Sequence, residues 1–418
     1  MRKFFRSEIN VLVTLFIANL AIKFLRLTSP SDVYFDEGAY YIPTARSFLA
    51  GNFEANFEHP PLAKLFMAAG IKIFGDNPWG WRIPEVLVGS LGVIFIYLLA
   101  KKMFGGRLIP TLSALFLTFE FSWFVNSRVA VPEIYVATFS LAATLFFWSF
   151  FKEEKARYLG LAGIFFGLSI ASKWNGLFLL AFGSCFYLWK KRATPLKSLP
   201  KLGLLFLIVG VVYLGSYSFY LLNHSLPDLI NLHAKMFDYH TGGVFEKVEQ
   251  KQEINNLVFH LTPMTWLLNP LYSYIGRQEY GSVQAIFFMF NPALFWGSIV
   301  LILKGAKDLV FHRTRSLVTS EKTFLIGAFL TFWLPWFFVP RYNFSYYLLS
   351  AIPFGILLVT KFIEENFEKR EFLLIGFAAS VVLLFVFYYP LLSHLAVPLW
   401  YLTILTGSGG FAGFISSF

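Results

Sequence analysis

The sequence predicts an all-α protein that crosses a membrane many times, and its composition is the first observation behind that prediction. Of its 418 residues, 57% are hydrophobic and only 14% are charged, whereas a soluble globular protein is about 25% charged. The mean hydropathy is +0.61. A water-exposed fold cannot bury so much apolar surface, so lipid must surround most of this chain.

Long apolar runs are the second observation, because a membrane helix needs about 20 consecutive apolar residues. We predict eleven spans, and residues 1–418 then form a single transmembrane domain. The spans are predicted at 8–27, 83–100, 108–125, 132–151, 158–172, 175–189, 202–222, 285–303, 323–340, 345–362 and 371–392. The apolar tail 395–418 is interrupted by Pro398 and by glycines at 407–410. It is compatible with a twelfth span or with an interfacial segment.

The distribution of basic residues is the third observation, and it sets the orientation. Most of the 35 Lys and Arg residues fall in alternate loops, and such loops face the cytoplasm in membrane proteins. The N-terminus is therefore predicted inside, with the long 28–82 and 223–284 loops outside. Within the first of these loops, 39–49 and 62–74 have the pattern of amphipathic helices that lie on a membrane surface. The net charge of +11 is explained by the cytoplasmic loops, so no nucleic acid partner is expected.

An acidic pair, Asp36-Glu37, follows the first predicted span, and a carboxylate just outside a membrane is a candidate general base. Several cations and polar side chains are predicted on the same side, at the ends of different spans. They are Arg82, Arg128, Lys173, Tyr239, His240, His260 and Arg341. Each alone has a simpler explanation, such as an interfacial anchor or, for Arg128, a pair with Glu133. Together they indicate an enzyme that acts on an anionic lipid, since the forked donors of arginine suit phosphate.

Other chemistries lack their sequence signatures. The chain has no P-loop, no dinucleotide-binding glycine motif, no H-E-x-x-H element and only one cysteine, Cys185. ATP, zinc and an internal disulfide are therefore not expected, and we predict neither a metal nor another cofactor.

The motifs, in their order along the chain, resemble those of the protein O-mannosyltransferases, the GT39 members of the GT-C membrane glycosyltransferases. After the acidic pair come H-P-P-L-A-K-L at 59–65, W-R-I-P at 81–84, S-R at 127–128 and K-W-N-G-L-F at 173–178. Then follow Y-H at 239–240, N-P-A-L-F-W at 291–296 and F-S-Y-Y-L-L-S-A-I-P-F at 344–354. Two positions depart from the family pattern, since Tyr347 stands where the family has His and Ser350 where it has Pro. The 223–284 loop is also too short for the luminal β-trefoil of the eukaryotic enzymes, so the resemblance is to a bacterial or archaeal member.

This resemblance implies a GT-C fold with about 11 (11–12) transmembrane helices and extracytoplasmic amphipathic helices. It implies an inverting transfer of mannose from a polyprenyl phosphate to Ser/Thr hydroxyls of exported proteins, on the extracytoplasmic face of the cell membrane. Asp36 would accept the proton of the attacking hydroxyl, and Glu37 would orient a neighbouring group. The resemblance also implies a reaction that needs no metal.

The resemblance also suggests which residues hold the substrates. Donor phosphate and sugar would contact Arg82, Arg128, Lys173, Tyr239, His240, Arg341 and Tyr347. His59 and Lys64 would contact the acceptor or the phosphate. Two alternatives stay open: a related enzyme that moves another lipid-linked sugar, such as aminoarabinose, to a lipid or glycan, and a transporter of a lipid-linked sugar. The transporter is disfavoured because the predicted spans carry almost no charge at mid-depth apart from Glu120.

Overall fold

The computed structural model describes residues 8–241, 263, 266, 271–275, 282–311, 320–339, 343–367, 370–398 and 400–401. Helices dominate these residues. They are α1 (Glu8–Phe24), α2 (Ile42–Leu49), α3 (Leu62–Phe74), α4 (Pro78–Phe104), α5 (Leu108–Thr118), α6 (Phe121–Asn126), α7 (Glu133–Glu153), α8 (Ala156–Ser172), α9 (Gly176–Lys190), α10 (Pro195–Gly215), α11 (Ser218–Leu221), α12 (Leu226–Thr241), α13 (Pro292–Phe311), α14 (Ser320–Trp333), α15 (Ile352–Phe367) and α16 (Glu371–Leu392).

Four of the described helices, α4, α7, α10 and α16, are long and apolar enough to cross a membrane. Shorter apolar helices, α5, α8 and α9, lie among them. The central helix is α7, which is buried over most of its length and packs against α4 and α8. Its sequence is apolar on every face, as expected for a helix surrounded by other helices. The first residue of α7, Glu133, is thereby held at one end of the protein's core.

The predicted span 108–125 is two helices, because the chain breaks between α5 and α6. The buried carboxylate of Glu120 accepts hydrogen bonds from the backbone N–H of Trp123, 2.6 Å away, and of Asn291, 3.1 Å away. Glu120 thus caps the N-terminus of α6, where a negative charge is stabilised by the helix dipole. Its position in the middle of an apolar run therefore has a structural explanation.

A small antiparallel sheet is the exception to the all-α prediction. Strands β1 (Leu271–Ile275), β2 (Ser282–Phe288) and β3 (Ala396–Pro398) are arranged in that order, with Ser282 opposite Pro398. The predicted span 285–303 was therefore placed too early, since its helix, α13, begins only at Pro292. Both faces of β2 are buried, and such a strand has the same continuous apolar sequence as a helix.

The two helices predicted in the first loop are present as α2 and α3, with a π-helical turn, Glu37–Tyr41, directly before α2, and their placement on a membrane surface stays a prediction. Helix α3 approaches α4 very closely at two glycines. A Cβ on Gly70 would lie 2.3 Å from the carbonyl oxygen of Gly80, so no larger residue fits there. This close contact holds the first loop against the start of α4, where Arg82 lies.

Candidate active site

The chain turns sharply just before the acidic pair. Phe35 has a left-handed backbone conformation with φ of +54°, which is rare for a bulky residue and is often found near functional sites. The π-helical turn begins one residue after Asp36, and π-turns are likewise frequent at functional sites. Through this geometry Asp36 and Glu37, although adjacent in sequence, contact different parts of the protein.

Glu37 forms a fully buried ion pair with Arg82. One carboxylate oxygen of Glu37 lies 2.9 Å from Nη2 of Arg82 and the other 3.0 Å from Nε. The same carboxylate accepts hydrogen bonds from the backbone N–H groups of Tyr34 and Ala130. The prediction that Glu37 orients a neighbouring group agrees with this arrangement, whereas Glu37 has no position from which to take a proton from a substrate.

Arg82 uses the rest of its guanidinium on the backbone of the first loop. It donates to the carbonyl oxygens of Leu27, Pro30 and Asp32 at 2.7–2.9 Å. With the two bonds to Glu37, all five N–H donors are engaged inside the protein. The structure therefore gives Arg82 the task of fixing the first loop rather than the predicted contact with the donor phosphate.

Asp36 lies at the centre of a second cluster of charged and phenolic side chains. Its Oδ2 accepts a hydrogen bond of 3.1 Å from the hydroxyl of Tyr346. The pKa of Asp36 is raised to about 6, first by burial and then by the neighbouring Glu133 carboxylate, while Lys173 and the bond from Tyr346 act in the opposite direction. A carboxylate with a pKa near neutrality is suited to accept a proton.

Lys173 and Glu133 form a buried ion pair beside Asp36. The ammonium of Lys173 lies 2.5 Å from Oε1 of Glu133 and 4.4 Å above the ring centre of Tyr347. Tyr347 in turn lies against Trp336, with ring centres 4.5 Å apart. Lys173 ends α8 in an extended conformation, and Glu133 begins α7, where the helix dipole stabilises its charge. The sequence prediction named Lys173 and Tyr347 but missed Glu133 and Tyr346.

Arg128 is bound to helix ends and not to Glu133. It donates to the carbonyl oxygens of Lys23, Leu25 and Leu392 at distances of 3.0, 2.7 and 3.4 Å. These carbonyls belong to the ends of α1 and α16, which lack intrahelical partners. Arg128 therefore joins two helix C-termini, and its predicted contact with phosphate has no support in this geometry.

His59 and His240 belong to a separate aromatic cluster next to Lys173. The rings of His59 and His240 stack with centres 5.4 Å apart, and Trp174 lies 5.6 Å from His240. Tyr239 contacts His240 edge-on at 5.2 Å, and Nε2 of His240 lies 2.7 Å from the carbonyl oxygen of Glu58. Because Trp174 directly follows Lys173, this cluster adjoins the Asp36 site.

Lys64, the other predicted contact to acceptor or phosphate, is buried beneath the first loop. Its ammonium donates to the carbonyl oxygens of Asn56 and His59 at 2.5 and 2.7 Å. Burial lowers the pKa of Lys64 to about 7, while the nearby Glu58 carboxylate has a weaker opposite effect. Lys64 thus fixes the loop that carries His59. Arg341 and His260 lie outside the described residues, so Arg341 remains a prediction.

The Asp36 site combines a group that can accept a proton with a cation only a few side chains away. Among the described residues, no group of three or more His, Cys, Asp and Glu side chains is arranged to hold a metal ion. Within the described part of the chain, the charges at this site are those of Asp36, Glu133 and Lys173. Such a set can deprotonate a hydroxyl and stabilise a developing anion.

Comparison with known sequences points to one family. The model of the dolichyl-phosphate-mannose-protein mannosyltransferase family matches residues 58–215. A polyprenol-phosphate-mannose–protein mannosyltransferase of Corynebacterium glutamicum is 22% identical over 89% of this chain and 86% of its own length. The protein of that name from Mycobacterium tuberculosis is 26% identical over 90% and 86%.

Solved structures agree on the fold. The donor-bound Pmt1–Pmt2 protein O-mannosyltransferase complex of Saccharomyces cerevisiae matches with a TM-score of 0.74 at 13% identity, covering 93% of this chain and 90% of that chain. ArnT of Cupriavidus metallidurans, bound to undecaprenyl phosphate, matches with a TM-score of 0.55 at 20% identity, covering 87% and 62%. At these identities the likeness establishes a GT-C membrane glycosyltransferase fold.

Proposed function

We propose that this chain, which is similar to protein O-mannosyltransferases and shares the GT-C fold, transfers mannose from a polyprenyl phosphate to hydroxyl groups of proteins. The observation that carries this function to particular residues is the partly buried Asp36 carboxylate beside the buried Lys173 ammonium. A base next to a cation is what attack on a glycosyl phosphate requires.

In the proposed reaction Asp36 accepts the proton of a Ser or Thr hydroxyl. The oxygen of that hydroxyl forms a bond to the anomeric carbon of mannose. The bond between that carbon and the phosphate oxygen breaks, and its electron pair leaves with the polyprenyl phosphate. Attack from the face opposite the phosphate inverts the anomeric centre. The pKa of Asp36, about 6, keeps the carboxylate ionised at neutral pH and basic enough to accept the proton.

The leaving phosphate gains one negative charge, and Lys173 is the cation that we assign to stabilise it. A cation already in place costs no reorganisation when the charge develops, and a buried site strengthens its attraction. Glu133 holds the Lys173 ammonium in position through the 2.5 Å contact. Lys173 supplies the positive charge that a metal ion provides in other transferases, so we propose a metal-independent reaction.

The apolar helices and the membrane-protein relatives establish a membrane location. We further propose that the chain lies in the plasma membrane with its N-terminus in the cytoplasm and the Asp36 site on the extracytoplasmic face. The concentration of Lys and Arg in alternate loops supports this orientation. On that face the lipid-linked donor makes a nucleotide sugar unnecessary.

A transfer assay tests the proposal directly. The purified protein in lipid vesicles is given a short-chain polyprenyl phosphate carrying radiolabelled mannose, together with a Ser/Thr-rich peptide. We expect label to enter the peptide, inversion at the anomeric carbon and an unchanged rate in EDTA. Mannose transfer only to lipid or glycan, transfer only from an aminoarabinose donor, or movement of intact donor across the vesicle would each contradict the proposal.

A further inference from the structure

The hydroxyl of Tyr346 contacts Asp36 from a tightly enclosed position. Tyr346 is only 3% exposed, and its hydroxyl lies 3.1 Å from Oδ2 of Asp36. Its ring stacks on Phe344, with centres 5.4 Å apart and planes at 6°, and contacts the edges or faces of Phe35 and Phe288 at 5.7 and 5.2 Å. These aromatic neighbours, together with Tyr347 at 4.9 Å, restrict the rotation of the phenol.

The element that carries Tyr346 is also held in place. It lies in a 3₁₀-helical turn, Ser345–Ser350, in which all six residues are buried, and this turn packs against α7. Phe35, one of the rings against Tyr346, is the left-handed residue that directly precedes Asp36. The backbone of Asp36 and the phenol that bonds its side chain are thus packed against each other.

We propose that Tyr346 is the positioning residue for the Asp36 base, holding one carboxylate oxygen so that the other accepts the proton of the substrate hydroxyl. This inference rests on the proposed function, since it assigns a role to Tyr346 in the proton transfer of that reaction. A carboxylate on a short flexible side chain loses catalytic efficiency when its orientation varies, because small misplacements weaken catalysis strongly.

The surroundings of Asp36 leave Tyr346 as the neutral group for this task. Among the residues that the structure describes, the groups that shift the pKa of Asp36 are Glu133, Lys173 and Tyr346. Glu133 repels the carboxylate, and Lys173 is bonded to Glu133. A phenol donates a hydrogen bond without adding charge, so it fixes Asp36 while leaving it basic.

The variant Tyr346→Phe removes the hydroxyl and keeps the ring. We expect kcat to fall about tenfold, with the KM for the donor unchanged because the phenol contacts the base and not the phosphate. The hydrogen bond stabilises the charged form of Asp36 and so lowers its pKa. Its loss should move the acid limb of the kcat/KM profile to higher pH, by about one unit.

Tyr135→Phe is the matched control. The Tyr135 hydroxyl also donates to a buried carboxylate, that of Glu85, at 2.9 Å, but neither residue is among the groups that shift the pKa of Asp36. Both variants lose one buried hydrogen bond and should lose comparable thermal stability. Only Tyr346→Phe should shift the pH profile. Equal shifts, or none in either variant, would assign Tyr346 a purely structural role and overturn the inference.

A second measurement does not depend on turnover. Infrared spectra of the protein labelled with ¹³C-aspartate are recorded across the pH range. Subtraction of the spectra of the Asp36→Asn variant leaves the signal of Asp36 itself, which reports its protonation. We expect its midpoint to rise in Tyr346→Phe and to stay in place in Tyr135→Phe. If the wild-type protein transferred no mannose but the midpoint moved, the proposed function would fail while the contact would stand. If mannose transfer were normal in Tyr346→Phe and the midpoint did not move, the inference alone would fail.

Discussion

Arg82 offers the sharpest separation between a substrate-binding and a structural role. The resemblance predicts that it binds the donor phosphate, whereas in the structure its guanidinium is engaged by Glu37 and three backbone carbonyls. The ion pair is fully buried, with 1% and 0% of the two side chains exposed. We therefore expect Arg82→Gln to damage the fold of the first loop before it affects donor affinity.

The expected loss of stability depends on which buried groups each substitution leaves without a partner. Removing one partner of a buried ion pair costs about 3–5 kcal/mol, because the other charge remains without compensation. Glu37→Gln and Arg82→Gln should each show this loss, and Arg82→Gln should lose more because carbonyl oxygens of the first loop also lose their donors. The double variant leaves no buried charge, so its loss should be smaller than the sum of the two single losses.

The assay is thermal unfolding, in detergent, of the wild-type protein, the two single variants and the double variant. Unfolding is measured as the loss of the fraction that remains monodisperse on gel filtration. The entropy of unfolding is about 2.1 cal/mol/K per residue, so in a chain of 418 residues a loss of about 1 kcal/mol lowers the melting temperature by about 1 °C. Each single variant should therefore melt roughly 3–6 °C lower. Donor affinity of the protein that remains folded should be unchanged. Unaltered melting with a donor KM raised about tenfold or more would refute the structural role and restore the phosphate contact.

Three further outcomes follow from the same geometry. Lys173→Met should lower kcat/KM by about 10–100-fold, because a charge-assisted contact to the leaving phosphate is worth roughly 1.5–3 kcal/mol, whereas Lys155→Met, in an exposed pair, should leave it unchanged. Activity should be half-maximal near pH 6 and fall about tenfold per unit below it, since only the ionised Asp36 accepts a proton and its pKa is about 6; a flat pH profile would exclude it as the base. In a chain with Cys185 replaced by Ser, an impermeant thiol reagent should label Lys235→Cys but not Lys155→Cys in intact cells, and the reverse pattern would place the Asp36 site in the cytoplasm.

The helices could be predicted from the sequence because hydrophobic length and charge at the ends determine them. Helices α8 and α9 begin and end within two residues of the predicted spans. The strand Ser282–Phe288 could not be predicted, because both of its faces are buried and its apolar run continues almost to α13. The break at Glu120 was also missed, since the helix cap depends on Asn291, which lies 171 residues away.

The site was predictable only as a list of residues. Family motifs identified Asp36, Lys173 and Tyr347, which the structure places in one cluster. They also identified Arg82 and Arg128, whose motifs are equally specific but whose side chains are bound to backbone carbonyls. Chain spacing does not reveal such partners, because they come from distant segments. Sequence reasoning missed Glu133 as the partner of Lys173, because Glu133 lies much closer in sequence to Arg128.

The measurement that tests the central claim most directly is turnover and donor binding in Asp36→Asn. This substitution keeps the shape of the side chain and the acceptor for the Tyr346 hydroxyl but removes the proton acceptor. We predict that turnover of polyprenyl phosphomannose falls by about 10²–10⁴, while the dissociation constant of the donor stays within about twofold of wild type. Near-normal turnover in Asp36→Asn, with activity lost instead in a folded Glu37→Gln protein, would contradict the account, because the base would then be the neighbouring carboxylate.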